Sequence, residues 1–420
     1  MADTIFALSS GRPPAGIAVI RVSGPRAFDA GRAIAGELPA PRHASLRTFR
    51  HPESGDVLDR GLLLAAPAPG TATGENIVEF QCHGGQATID AMLSALAAVD
   101  GLRMAEGGEF TRQALGNGIL DLTAAEGLAD LLAAETELQR KVALRRAEGS
   151  VGRAVETIRN MLLQLAASVE LAIDYVDEED GASAEVPDRD FGALLGSVQD
   201  LLNQPGIERL RHGVRVVVGG PPNAGKSSLV NVLAREERVI VTPVAGTTRD
   251  TIEIALSLGG IPVTLVDTAG LRETEDEVEQ IGIERAERAL AGADLVLWLG
   301  PPDEAPAGSI VVASKADLGT RSEGIPFSAT SSIGHGELVA AIIAKAEMLV
   351  PGEEAVALTL TERDALKAVE TDVCQARIEA QVEIKADLLR TAMQHLDRIT
   401  GHAGVEDMLD ALFSRFCVGK

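Results

Sequence analysis

Gly220-Pro-Pro-Asn-Ala-Gly-Lys-Ser227 fits the pattern G-x-x-x-x-G-K-[ST], and its flanks supply the context which that pattern needs. The apolar, β-branched run Val214-Arg-Val-Val-Val218 precedes it as a strand, and the helix-compatible stretch Ser228 to Ala234 follows it. A glycine-rich turn from strand to helix presents the backbone N–H groups of residues such as Asn223, Ala224 and Gly225 to a β-phosphate. Lys226 then reaches the β- and γ-oxygens, and the Ser227 hydroxyl, beside Ser228, is a ligand for Mg²⁺. The stretch predicts a nucleotide-binding α/β domain, and a β/α alternation runs on from it to about Glu347.

Three segments follow at the spacing a nucleotide hydrolase requires. Ala245-Gly-Thr-Thr-Arg-Asp250, carrying Gly246 and Thr247, is a polar switch loop whose Thr248 completes the Mg²⁺ shell when a γ-phosphate is present. Asp267-Thr-Ala-Gly270 follows the strand Val263 to Val266, which puts the Asp267 carboxylate behind the Mg²⁺ and the Gly270 N–H at the γ-phosphate, with Thr268 and Ala269 between. Ser314-Lys-Ala-Asp317, after the strand Ile310 to Ala313, resembles the base-reading N-K-x-D of GTPases. On that likeness Asp317 accepts from guanine N1–H and N2–H₂, Lys315 keeps its usual place, and Ser328-Ala329 supplies a backbone N–H to guanine O6. Ser314 is shorter than the usual Asn, so a bond to the base and to the phosphate loop is expected to be lost. Only Gly300 to Gly308 separates strands 294–299 and 309–313, fewer than the dozen residues a parallel crossover normally takes. A helix is therefore expected to be missing there, leaving one sheet face less covered.

The remainder of the 420 residues exceeds this one domain and suits two or three. Residues 1 to about 117 read as α+β, with strands at Ile17-Ala-Val-Ile-Arg-Val22, Gly61-Leu-Leu-Leu-Ala65 and Ile77-Val-Glu-Phe80 and a helix near Ala87 to Val99. Helical sequence runs from Leu122 to about Val176 and again from about Asp190 to Leu210. After Pro351-Gly352 it resumes, with Leu388, Ala392 and Leu396 on one face. Helices flanking the β/α segment on both sides predict one helical domain split by an inserted domain. The division is 1–117, 118–211, 212–349 and 350–420.

Composition bounds the function. A formal charge of −24 opposes non-specific attraction to phosphate backbones and weighs against autonomous RNA binding. Three scattered cysteines imply no disulfide framework, and the absence of a leader or a long apolar run predicts a cytoplasmic protein without a membrane span. His83, a lone histidine, reads as a structural or turn residue.

Taken with their flanks, these segments resemble the MnmE (TrmE) family of tRNA modification GTPases over nearly the whole chain. The resemblance rests on Pro222 to Ser228, Ala245 to Asp250, Asp267 to Arg272 running into Glu277 to Arg285, and Thr73-Gly-Glu with His83-Gly-Gly85. Gly108-Glu-Phe-Thr-Arg112 and Cys417-Val-Gly-Lys420 complete it. The resemblance implies an N-terminal dimerising, folate-binding domain, a helical domain, and a Ras-like P-loop GTPase domain inserted into the latter. It implies hydrolysis promoted by K⁺-dependent pairing of G domains, with Asn223 a K⁺ ligand helped by Thr242, Val244 and Thr247, next to Pro243 and Ala245. Glu279 matches the family's catalytic acid. For 5,10-methylene- or 5-formyl-tetrahydrofolate the pattern points to Arg21, Glu79 and Lys420. A basic residue is expected where this chain has Ile119, and Cys417 falls at the modification centre. The implied partners are a second copy of the chain, an FAD protein of the MnmG (GidA) family, and tRNA held mainly through that protein, with an aminomethyl-type group placed at C5 of the wobble uridine. Two rivals stay open. A ribosome-assembly GTPase would carry a basic RNA-binding tail, which Thr361 to Lys420 does not show. A folate-dependent aminomethyltransferase with a regulatory G domain would act on a protein or small molecule.

Overall fold

Alternation gives the N-terminal strands two unlike faces. The structure, a computed structural model, describes residues 3–174, 187–236, 238–239, 252–268, 286–319, 323–401, 412 and 419. It comprises two units, Met1–Ala129 with Thr400–Lys420, and Asp130–Ile399. The first unit holds strands β1 (Thr4–Leu8), β2 (Ala15–Ser23), β3 (Ser45–Arg50), β4 (Val57–Ala66), β5 (Ile77–Gly84) and β6 (Leu102–Met104). They form one sheet in the order β3-β4-β5-β2-β1-β6, antiparallel except where β1 meets β6. Ala18, Ile20 and Val22 of β2 are buried with Phe49, Leu63 and Phe80 beneath the helices α1 (Ala27–Ala35) and α2 (Gln86–Ala97). The opposite face carries Arg21 and Glu79 and is covered in part by α3 (Glu109–Gly116), whose Phe110 packs with Ile5, Ala7 and Ala105.

The helix α4 (Leu122–Ala133) leads to α5 (Glu137–Ala147), α6 (Ser150–Asp174), α7 (Asp188–Leu202) and α8 (Glu208–His212). The single helix expected over 190–210 is thus two. Pro205-Gly206 lies between them, where the ring removes an N–H and glycine weakens helix. Next come β7 (Val214–Gly219), α9 (Lys226–Glu236), β8 (Arg238–Val239), β9 (Ile252–Leu258), β10 (Ile261–Asp267), α10 (286–291), β11 (Leu295–Trp298), β12 (Ile310–Ala313), β13 (Ile325–Pro326) and α11 (His335–Glu347). The sheet runs β13-β12-β11-β7-β10-β9-β8, with β7 at its centre and parallel to both neighbours. Val214, Val216 and Val218 pack against Leu229 and Leu233 of α9 and Leu338 and Ile342 of α11, while Val217 and Val266 face Ala289 of α10.

Between β11 and β12 there is only a 3₁₀ turn, Pro302–Glu304, although the two strands pair in parallel. The helix usual at such a crossover is missing, as expected. Finally α12 (Leu360–Ile378) and α13 (Val382–Thr400) share one apolar core with α6 and α7, built from Leu162, Val169, Phe191, Val198, Leu366, Val373 and Leu389. The stripe on α13 runs through Leu389, Ala392 and Leu396, with Leu388 only partly buried beside it. One helical core is therefore assembled from both sides of the inserted sheet. It is tied by Arg146 of α5, whose guanidinium meets Glu362 of α12 at 3.0 Å and donates to the carbonyl of Ala357. Asp130 stands 4.0 Å from Arg146 and 2.7 Å from Arg211. Among the described residues no helix is long and apolar enough to cross a membrane.

Candidate nucleotide-binding site

The loop between β7 and α9 is shaped by backbone conformations that ordinary residues avoid. Gly220 (φ +138°), Asn223 (φ +61°) and Gly225 (φ +99°) all have positive φ, a region natural to glycine and tolerated by asparagine. Gly220 also has no room for a side chain, because a Cβ there would stand 2.8 Å from the Leu299 carbonyl oxygen. Lys226 is buried at the start of α9 and folds back over the loop, donating to the carbonyls of Gly220 (2.9 Å) and Pro221 (2.8 Å). An ammonium so held has the reach to exchange those carbonyls for phosphate oxygens. The hydroxyls of Ser227 and Ser228 stand exposed on the first turn.

Asp267 ends β10 beside Val218 of β7 and is buried, and the next residue, Thr268, donates to the Val218 carbonyl at 2.7 Å. A hydroxyl on the first helical turn and a carboxylate at the end of the adjacent parallel strand are the hard oxygen donors that suit Mg²⁺. Among the described residues no three His, Cys, Asp or Glu gather as a metal cage.

The base-reading segment is joined to the phosphate loop. Lys315 has a positive φ of 59° and donates from Nζ to the Asn223 carbonyl at 3.0 Å. Ser314 sits near Gly225, its Cβ 3.9 Å from where a Cβ of that glycine would be. Asp317 is exposed and accepts from Thr330 Oγ1 at 3.1 Å. The Ser328 and Thr330 hydroxyls hold its carboxyl below the usual carboxylate range. Ser328 is buried, and its carbonyl is bonded to His335 Nε2 at 2.7 Å, the imidazole stacking on Phe327. Behind the loop, the Trp298 indole donates to the Pro301 carbonyl at 2.9 Å and packs against Gly219 and Gly300. A Cβ on Gly300 would in turn meet Pro221 at 2.8 Å.

The first unit contains a second constellation. Arg21 and Glu79 are direct cross-strand partners and form an ion pair, with Arg21 Nη2 2.9 Å and Nε 3.0 Å from Glu79 Oε1. The Phe110 ring lies under the guanidinium, 5.8 Å from its centroid. Ile119 is 42% exposed and lines the turn at Gly74, which Asn117 ties down through the Thr73 carbonyl. Gly419 accepts a hydrogen bond from Ser9 and lies so close to Leu8 that a Cβ would overlap the Leu8 carbonyl. Leu8 pairs with Ile20 of β2, the residue before Arg21, so Gly419 lies beside the β1–β2 pair one position from the Arg21 row.

Comparison with known proteins agrees with this anatomy. Residues 4–119 match the family described as GTP-binding protein TrmE N-terminus, and residues 122–417 match the MnmE helical domain. The chain is 51% identical to the tRNA modification GTPase MnmE of Rhizorhabdus wittichii, over 100% of this chain and 97% of that one. With the protein of the same name from Novosphingobium aromaticivorans the identity is 46%, over all of both chains. The chain belongs to the MnmE family. The solved G domain of the FeoB iron transporter of T. maritima is 22% identical, covering 32% of this chain and 99% of that one, with a TM-score of 0.24.

Of the positions an MnmE-family protein is expected to use, Asn223 to Ser228, Asp267, Thr268, Ser314, Lys315, Asp317, Ser328 and Ala329 all stand at or just after the carboxyl ends of β7, β10, β12 and β13, Lys226 to Ser228 on the first turn of α9. Arg21 and Glu79 stand together in the other unit. Thr242, Pro243, Val244, Ala245, Gly246, Thr247, Thr248, Ala269, Gly270, Glu279, Cys417 and Lys420 lie outside the described residues. Thr330 and Phe110 are contacts that sequence reading did not single out as site residues. Thr330 is one hydroxyl in the run Ser328-Ala-Thr-Ser-Ser332, and nothing local distinguishes it from its neighbours. His83, on β5, bonds Asp59 at 2.8 Å, a cross-strand pairing rather than a metal site.

Proposed function

We propose that this chain hydrolyses GTP and, with a flavoprotein partner, installs an aminomethyl-type (carboxymethylaminomethyl) group at C5 of the wobble uridine of certain tRNAs. The observation that carries the nucleotide half is the bond from Lys315 to the Asn223 carbonyl. It fixes the guanine-reading carboxylate of Asp317 and the phosphate-reading ammonium of Lys226 on one frame. Lys226 leaves the Gly220 and Pro221 carbonyls to hold the β- and γ-phosphates, and Asp317 accepts the guanine N–H pair. Ser227 and Thr248 would hold Mg²⁺, with Asp267 behind them, and the ion would supply positive charge against the phosphates. Asn223, with Thr242, Val244 and Thr247, would hold K⁺, which adds positive charge where other GTPases insert an arginine. Glu279 orients the attacking water.

For the tRNA half, Arg21, paired to Glu79, presents a cation to an anionic folate, and Lys420 and Cys417, the residues flanking Val418-Gly419 in the sequence, would complete the folate and modification site. A one-carbon tetrahydrofolate bound there supplies the methylene unit. Ile119 replaces a cation with an apolar wall, so folate affinity rests more heavily on Arg21. Leu46 and Leu62, opposite each other on β3 and β4 and 51% and 39% exposed, give the uncovered sheet face an apolar patch suited to a second copy of the chain. The chain divides into a folate-binding, dimerising domain (1–117), a helical domain (118–211 and 350–420) and a G domain (212–349). The partner is an FAD protein of the MnmG family, and the site of action is the cytoplasm. A GTPase assay titrating K⁺ against Na⁺, with ATP as control, tests the nucleotide half, and equal rates in the two cations count against Asn223 as a ligand. Mass spectrometry of tRNA nucleosides with and without the gene tests the other, and unchanged wobble uridines sink it.

A further inference from the structure

A carboxylate that reads guanine must present both oxygens in the plane of the base edge, yet the terminal torsion of aspartate is broad and two-fold. Something must hold the plane. In this chain Ser314 carries no amide with which to brace the site from the β12 side, and Asp317 itself is exposed. The bracing comes from the loop after β13. Thr330 Oγ1 donates to Asp317 Oδ2 at 3.1 Å and stands 3.2 Å from Ser328 Oγ. Ser328 Oγ in turn accepts from the N–H groups of Thr330 (3.3 Å) and Ser331 (3.2 Å), and its residue is locked by the Ile333 carbonyl on its N–H and by His335 on its own carbonyl.

Proton counting separates the two hydroxyls. Each has one proton and two lone pairs, whereas a carboxylate has about four acceptor sites. Ser328 Oγ, already accepting two backbone N–H groups, has only its proton left to give, to Asp317 or to Thr330, whereas Thr330 spends its proton on Asp317; two hydroxyl donors still leave the carboxylate capacity for the two guanine N–H groups. We propose that Thr330 is a positioning residue for guanine recognition, its hydroxyl holding the Asp317 carboxylate in the plane that reads N1–H and N2–H₂ and standing in for the asparagine replaced by Ser314. This rests on the reading of Asp317 as the guanine acceptor. Thr330 sits on the loop surface, so a substitution there disturbs no core.

The test is equilibrium binding of GTP and of inosine triphosphate, which lacks the 2-amino group, to full-length wild type, Thr330→Val and Thr330→Ser. Thr330→Val should weaken GTP binding about tenfold and inosine triphosphate binding only about two- to threefold, because GTP makes both charge-assisted bonds that depend on the carboxylate plane and inosine triphosphate only the one from N1–H. Thr330→Ser, which keeps the hydroxyl, should bind both nucleotides within about twofold of wild type. Equal weakening of both nucleotides in Thr330→Val, or wild-type discrimination retained in it, overturns the inference alone. Wild-type protein that binds GTP no tighter than inosine triphosphate overturns Asp317 as the guanine reader, and the inference with it.

Discussion

Replacing Arg146 by methionine removes one ion from the interior and keeps most of the volume. Arg146 is 1% exposed and its partner Glu362 6%. At a separation of 3.0 Å the direct attraction is about 5 kcal/mol at an effective dielectric constant near 20. Part of the loss is absorbed locally. Glu362 still accepts from the Thr359 N–H at 2.6 Å, and Asp130 still meets Arg211 at 2.7 Å. The Ala357 carbonyl is left without this donor. The expected cost therefore lies near the lower end of that for stranding a buried charge, about 3 kcal/mol. In urea denaturation followed by circular dichroism, a slope of about 3 kcal/mol/M turns this into a midpoint lowered by about 1 M. Adding Glu362→Gln, which keeps the helix cap but removes the stranded charge, should recover about half of the loss. A midpoint shift below about 0.3 M, or losses that simply add, would refute the view that this pair ties the helices on either side of the G domain together.

Four further outcomes are expected. Lys226→Ala should lower GTP turnover by at least about a hundredfold in a phosphate-release assay, the loss typical of one charged donor at the reacting group. Arg21→Ala should weaken 5-formyl-tetrahydrofolate binding at least about tenfold by calorimetry, since it frees Glu79 as an unpaired anion besides removing the cation; unchanged affinity would place folate elsewhere. Glu279→Ala should slow hydrolysis in K⁺ buffer by about a hundredfold while GTP binding is unchanged, and normal turnover would remove Glu279 from the site. Burial, followed by the charge of Asp59, pushes the Cys82 thiol up to about 11, so almost none of it is thiolate at neutral pH. Iodoacetamide at about pH 8 should alkylate the exposed Cys374 at least about a hundredfold faster than Cys82, read by peptide mass spectrometry, and comparable labelling would contradict the burial.

The strand, loop and helix around Gly220 to Ser227 were legible because their signals are local: β-branched residues, glycines at fixed offsets, and a helix directly after. The missing helix between β11 and β12 could be counted from the nine residues available. The break at Pro205-Gly206 was visible as letters but was overridden by the apolar period on either side. The core stripe of α13 fell on Leu389 rather than Leu388, because neighbouring leucines satisfy almost the same helical face and only the facing helices decide between them. The Arg146–Glu362 pair joins residues 216 positions apart. Within α5, Arg146 stands among Arg140, Lys141 and Arg145, a run that reads as a solvated face. Lys315 was recognised by its motif, but its bond to Asn223 depends on how two loops approach, and the role of Thr330 depends on which hydroxyl faces Asp317. Such choices are made in three dimensions.

Trp298 is the sole tryptophan of the chain. Its indole rests on Gly219 and Gly300, and Gly300 abuts Pro221 of the phosphate loop. Emission excited at the red edge of protein absorption therefore originates from one place, the back of the nucleotide site. The chain carries its own optical reporter: a change in the loop's packing when GTP replaces GDP is readable without a dye, in the same cuvette that measures turnover.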